Sequence, residues 1–237
     1  IGGKDLWPAV LPGFGLVQSL YRDTTALDKG LWGGAEHLNS PTSTTLMTRL
    51  QTIFANTAKN WSGIDYSTVP SRFVAGEAAM VPDGSWEYPA IQTADPNFEF
   101  GYFPLPGADE ADANKYLASK LEFSLAIPAS SKNQELAKKW LALYASKDVY
   151  SDFITSAGFG PTQPGLDLPP VLADMQQYVP EAGFVPAWDQ VWHPNTEAAA
   201  LVGMPFAYDS IAPLGTESDM KKLADEMEAA WLKSLPK

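Results

Sequence analysis

Along most of this chain apolar residues return every third or fourth position, the repeat of a helix with one buried face. The clearest case is residues 43–61, where Leu46, Leu50, Ile53, Phe54 and Thr57 share a face and predict an amphipathic helix. SSKNQELAKKWLALYAS is a second strong repeat. It predicts a helix capped by Ser131 or Asn133, with Leu136, Trp140, Leu143 and Tyr144 turned inward. KDVYSDFITSAG predicts the next helix, stopped by Gly158. Residues 8–21 start with a proline suited to a first turn and read as a helix, weakened by Pro12, Gly13 and Gly15. Residues 69–77, WEYPAIQTA and residues 171–178 are shorter helical stretches. The last helix is predicted over 216–235, where Thr216 followed by Asp219 is similar to a capping box.

Three stretches break the helical repeat. AAMV, bounded by Pro82, and FSLAIPASS read as short buried strands, and FEFGYFPLPG alternates aromatics into a Pro-Gly turn, a strand signal. Between the elements lie punctuating segments. Residues 23–41, including GLWGGAEHLNSP, are polar and Gly-rich and read as a loop or short irregular helix. ADEADANKYLASK is a polar excursion, FGPTQPGLDLPP a Pro-rich linker, and PEAGFVPAWDQVWHPNTEAAA a mixed turn-and-helix segment. Short strands isolated among helices predict an α/β fold with a small sheet covered on both faces.

Composition narrows what such a fold does. With 237 residues and 45% hydrophobic content the chain can form one large body or two modest lobes. A net charge of −12 disfavours nucleic acid and anionic lipid as partners. The absence of cysteine excludes disulfides, thiol catalysis and cysteine-ligated clusters. No apolar run reaches the roughly 18 residues of a membrane span. The chain opens at Ile1 without Met, and IGGKDLWPA reads as the middle of a domain, so a processed or cut N-terminus is expected.

The catalytic patterns are poorly served. The 2 histidines, His37 and His193, have no second ligand three or four residues away, so no metal site is expected. No phosphate-binding glycine motif stands between a strand and a helix. Ser85 follows a glycine in DGSWE, but Glu87 stands where a nucleophile elbow needs another. Paired carboxylates for glycoside cleavage stay open, because 28 acidic residues leave many pairs and no local pattern selects one.

The 8 tryptophans carry more information. Trp140 and Trp231 fall at core spacing on helices, and Trp61, at a helix end, also reads as core. Trp7, Trp86, Trp188 and Trp192 instead stand beside Pro, Gly, Asp or His in turns or at helix starts. An indole presented from a turn suits a ligand with a flat apolar face and a polar rim, as a sugar ring has. Packing at a lobe edge is the competing reading for all four.

FVAGEAAMVPDGSWEYPAI resembles a segment of the extracytoplasmic solute-binding proteins of bacterial ABC importers, in the sugar-binding group typified by maltose-binding protein. Phe73, Gly76, Ala78, Ala79, Met80, Gly84, Ser85 and Trp86 carry the match. FGYFPLPG, LAIPASSKNQELAKKWLALYAS, GFGPTQPG and IGGKDLWPA are similar to further segments of that family in the same order. The resemblance implies a periplasmic-binding-protein-like (type II) two-lobe α/β fold. Here it would comprise a helix-rich second lobe, residues 1–105 and 160–237, and a returning piece of the first lobe, residues 106–159. Family members normally carry a hundred or more residues ahead of this point. A first-lobe remnant would expose apolar surface, so association with a missing first-lobe chain or with a second copy is expected.

The resemblance implies a receptor that binds a carbohydrate outside the cytoplasmic membrane and passes it to the membrane permease of an ABC importer. The receptor would do no chemistry, use no cofactor and be exported to the periplasm or the extracellular face of the cytoplasmic membrane, with a lipid anchor in the longer parent left open. Carried over by residue, Trp86 is the stacking platform and Gly84 lets backbone approach the ligand. Asp83, Ser85 and Glu87 are hydroxyl-binding neighbours, and Trp7 and Trp188 are cleft walls. Where the family often has a Gly-rich stretch, Lys120, Leu121 and Glu122 stand here, which makes Glu122 a substitute hydroxyl-binding carboxylate. A non-sugar small solute and a glycan hydrolase fragment are the alternatives.

Overall fold

The computed structural model describes residues 1–5, 7–121, 124–178, 185–186 and 219–234. Its main body is built from four helices drawn from both ends of the chain. A 3-10 turn, Trp7–Val10, leads into α1 (Leu11–Tyr21), whose Pro12 and Gly13 sit buried in the first turn, where a proline's missing N–H costs no helical hydrogen bond. α2 (Thr24–Gly33) follows, then α3 (Pro41–Ala55). The last, α8, is Met220–Ser234.

α3 bears out the strongest repeat in the sequence, but it begins and ends earlier than predicted. Ser40 caps it by accepting from the Ser43 N–H at 3.3 Å, and Pro41 takes the first helical position, where its missing N–H costs nothing. Trp61, expected at this helix's end, stands six residues beyond it on the 3-10 turn Trp61–Gly63 and packs on Phe54 at 4.7 Å. α2 was expected to be loop or irregular helix and is a regular helix. Asp23 caps it, accepting from the Ala26 N–H at 2.9 Å, and Gly34 ends it in the left-handed conformation (φ 73°).

One core closes these helices together. It holds Leu16 and Val17 of α1, Leu27 and Leu31 of α2, Leu46, Met47, Leu50 and Phe54 of α3, and Leu223, Met227 and Trp231 of α8. Trp231 is core as expected, its indole edge-on to Trp32 at 4.9 Å. The buried Glu228 adds a polar clamp. Its carboxylate accepts from the Leu38 N–H (2.7 Å) and lies 2.8 Å from His37 Nδ1, so it satisfies the α2–α3 connection from across the core. α8 is capped by Asp219, which accepts from the Lys222 N–H at 3.0 Å; Thr216, the expected cap, lies outside the described residues.

Toward the middle of the chain come α4 (Val69–Val74), α5 (Tyr88–Ala94), α6 (Gln134–Tyr144) and α7 (Lys147–Ala157). Residues 171–178, expected as helix, lie in a 3-10 stretch, Pro170–Tyr178. Among the described residues the sheet is one parallel pair, β1 (Ala118–Ser119) with β2 (Val185–Pro186). The class is α/β with a small sheet, as the pattern predicts, but the three strand readings are corrected. Among the described residues, AAMV and residues 124–131 are mostly exposed and carry no ladder, and FEFGYFPLPG likewise has no strand partner. A strand is stable only when a neighbour takes its N–H and C=O groups, and no described segment does so here. Period two still shows in FEFGYFPLPG: Phe98, Phe100 and Tyr102 are half-buried and their rings follow one another at 6.1 and 5.5 Å, while Glu99 and Gly101 are exposed.

α6 corrects a second expectation. Leu136 is 68% exposed, Trp140 54% and Leu143 60%, so the face predicted to point inward is uncovered. Trp140 is not core; it stacks on Tyr144 at 5.5 Å on the helix's own surface.

Candidate functional site

The DGSW turn is built from a short chain of local constraints. Gly84 (φ −99°) precedes the 3-10 turn Ser85–Glu87, which runs into α5. The Glu87 N–H donates to the Gly84 carbonyl at 3.2 Å and closes the turn. Glycine is required at 84 for space: the indole folds back over its own turn, and a methyl group at 84 would run into the Trp86 ring. A second glycine supports the turn from outside. Gly158, which ends α7 with φ 70°, lies where a methyl would meet the Ser85 carbonyl oxygen within contact distance.

Trp86 is half-buried and tied at both its polar and its aromatic sides. Its indole N–H donates to the Tyr66 hydroxyl oxygen at 2.7 Å, and the Tyr66 O–H donates to Asp83 Oδ1 at 2.9 Å. The same oxygen accepts the Gly84 N–H at 2.8 Å. Trp7, 42% exposed, lies edge-on to Tyr66 at 4.5 Å and tilts toward Trp86 at 6.4 Å. The Lys120 ammonium stands over the Trp86 ring, 5.7 Å from its centre, a cation–π approach.

The electrostatics follow from this packing. Burial pushes the Asp83 carboxyl up to about 7, against the Gly84 and Tyr66 hydrogen bonds, which favour the carboxylate. Burial, then the neighbouring Glu87, hold the Tyr66 phenol far above its ordinary range. Tyr66 therefore stays a neutral hydroxyl, able to donate to Asp83 and accept from Trp86 at once.

Of the residues singled out in the sequence, the structure gathers Trp7, Asp83, Gly84, Ser85, Trp86 and Glu87 into one cluster. Asp83 spends one oxygen on internal hydrogen bonds, and Gly84 makes room for the indole itself. Trp188 and Glu122 lie outside the described residues. The sequence reading missed Tyr66 and Lys120 as site residues. Tyr66 does carry the signal used for the tryptophans, an aromatic beside Asp65 just ahead of a helix with proline in its first turn. Among the described residues no group of His, Cys, Asp or Glu is arranged to hold a metal.

Residues 14–180 match the family described as bacterial extracellular solute-binding protein. The chain belongs to this family. A curated relative, the "Multiple sugar-binding protein" of Streptococcus mutans serotype c (strain ATCC 700610 / UA159), is 36% identical over 86 residues, which are 36% of this chain and 20% of that protein. Among solved structures, a "Chitin oligosaccharide binding protein" superposes with a TM-score of 0.74 at 19% identity, over 99% of this chain and 59% of its own. "SBP RafE in complex with raffinose" gives 0.63 at 20% identity, over 100% of this chain and 61% of its own. The solute-binding protein thus spans about three-fifths of the length of these structures, and it shares their periplasmic-binding-protein-like α/β fold over that part.

Proposed function

We propose that this solute-binding protein receives a carbohydrate outside the cytoplasmic membrane and hands it to the permease of an ABC importer, without chemistry on the ligand. The observation that carries this reading is the Trp7–Tyr66–Trp86 cluster, aromatic surface rimmed by Ser85, Glu87 and Lys120. Sugar rings need both parts: C–H faces stack on an indole while hydroxyls take polar partners. The relatives named above for sugars support the same ligand class. A division into residues 1–105 with 160–237, and 106–159, belongs to this reading. The core that joins α1, α2 and α3 to α8 supports the first of these units, while the β1–β2 pair crosses between the two. The exposed apolar side of α6 supports the expected association with a further chain.

Tryptophan fluorescence titration with raffinose, chitin oligosaccharides and other sugars tests the proposal. At least one sugar is expected to change the emission, with a Kd near the micromolar range, on the order of −8 kcal/mol. Trp86→Ala should remove that response while the protein still melts cooperatively. Cleavage of the sugar during incubation, or binding undiminished in Trp86→Ala, would overturn it.

A further inference from the structure

We propose that Tyr66, anchored by Asp83, is the positioning residue that fixes the Trp86 indole through its ring N–H; its consequence for carbohydrate affinity rests on the reading of Trp86 as stacking platform. A stacking ring contributes affinity only if its plane is set before the ligand arrives, since ordering a free side chain on binding costs part of the gain. Trp86 is half-buried on a turn, with Gly84 and Lys120 against its ring, and these apolar and cation–π contacts carry little direction. Its one polar atom sets the plane. The indole N–H reaches the Tyr66 oxygen at 2.7 Å, across 20 residues of sequence, from a different structural element.

Tyr66 in turn is held from three sides. Its backbone N–H donates to Asp5 Oδ2 at 2.7 Å, its ring lies against Trp7 at 4.5 Å, and its hydroxyl donates to Asp83 at 2.9 Å, with the Glu87 carboxylate a second acceptor beside it. That last bond determines the direction of the whole chain of donors. A phenol that donates to Asp83 presents its lone pairs to the indole, so Trp86 N–H, Tyr66 O–H and the Asp83 carboxyl run head to tail. Such chains strengthen cooperatively when the terminal acceptor is charged.

The terminal acceptor changes its charge near neutrality. Asp83, with its carboxyl raised by burial to about 7, loses its proton as pH rises through that value, and the carboxylate then draws the Tyr66 hydrogen more strongly. The groups facing it are the Tyr66 hydroxyl, the Gly84 N–H and the Glu87 carboxylate on its own turn. Asp5 holds Tyr66, and Lys120 stands over the indole. Trp86 is therefore held more firmly above neutral pH than below it.

The test reads Trp86 first without ligand. Because the chain has 8 tryptophans, its emission is taken as the difference between each protein and the same protein carrying Trp86→Phe. In the wild type this difference spectrum is expected to shift with pH, with a midpoint near 7. Asp83→Asn should remove the shift, and Tyr66→Phe, which keeps the ring against Trp7, should red-shift the emission and flatten its pH profile. Affinity for whichever panel sugar binds should fall about tenfold in Tyr66→Phe. It should also rise with pH in the wild type only. A Tyr66→Phe protein with wild-type emission and pH profile overturns the proposal. Should that variant fail to fold, an unaltered pH profile in Asp83→Asn does the same. If no sugar binds but the ligand-free emission titrates and depends on Tyr66, the carbohydrate reading fails and the positioning role stands.

Discussion

α3 and α6 are two amphipathic helices with the same kind of apolar stripe and opposite fates. In α3 the stripe of Leu46, Leu50 and Phe54 is buried against α1 and α8. In α6 the stripe of Leu136, Trp140 and Leu143 faces solvent. Their long-range ties differ in the same way. α8 meets the connection before α3 through Glu228, across 190 residues of sequence, whereas α6 is tied locally, by the Lys138–Glu135 pair three residues apart, the Trp140–Tyr144 stack and the contacts of Tyr144 with Tyr150 and Phe153 of the next helix. The 3.6-residue period says that a helix has an apolar face. It does not say that this chain supplies the surface to cover it.

The comparison breaks most easily at Leu50. Leu50→Ala should cost about 3 kcal/mol of stability, measured by denaturant unfolding, because a fully buried side chain leaves a cavity among four helices. Leu143→Ala, the same chemical change on α6, should cost under about 0.5 kcal/mol. Equal losses would show that the α6 face is covered in solution. The polar clamp gives the next largest effect. Glu228→Ala should cost about 2 kcal/mol, since it strands the Leu38 N–H inside the body and frees His37. No single polar contact of α6 should cost as much, because each is exposed and local.

The same contrast explains which parts could be read in advance. α1, α3, α6, α7 and the final helix are visible because periodicity, caps and stops are local properties of sequence. α2 was also written locally, in Asp23, Leu27, Leu31 and Gly34, but Gly30 and Gly33 hid the pattern behind poor helix propensity. Packing overrides that propensity: Leu27 and Leu31 are buried in the shared core. The strands were misread for the opposite reason. Alternation at Phe98, Phe100 and Tyr102 is real, yet a strand exists only with a neighbour, and pairing is a non-local fact. At the site, the DGSW turn was legible, and Tyr66 showed an aromatic at a helix start but not its partner. Nothing between residues 66 and 86 marks the phenol as the acceptor for the indole, just as nothing near His37 announces Glu228.

The smallest effect on stability tests the comparison from the exposed side. Trp140→Ser removes the largest ring from the open face of α6 and its stack on Tyr144. Because the ring is more than half exposed, its loss should change stability by no more than about 0.5 kcal/mol. What should change is the surface. Leu136, Trp140 and Leu143 form a patch of the kind that binds apolar dyes and other protein surfaces. Anilinonaphthalene sulfonate fluorescence at native conditions should therefore drop in Trp140→Ser, while Leu50→Ala, which opens the body, should raise it. A Trp140→Ser protein that melts several degrees lower would mean that α6 is packed against something, and the division between a closed body and an open helix would fall.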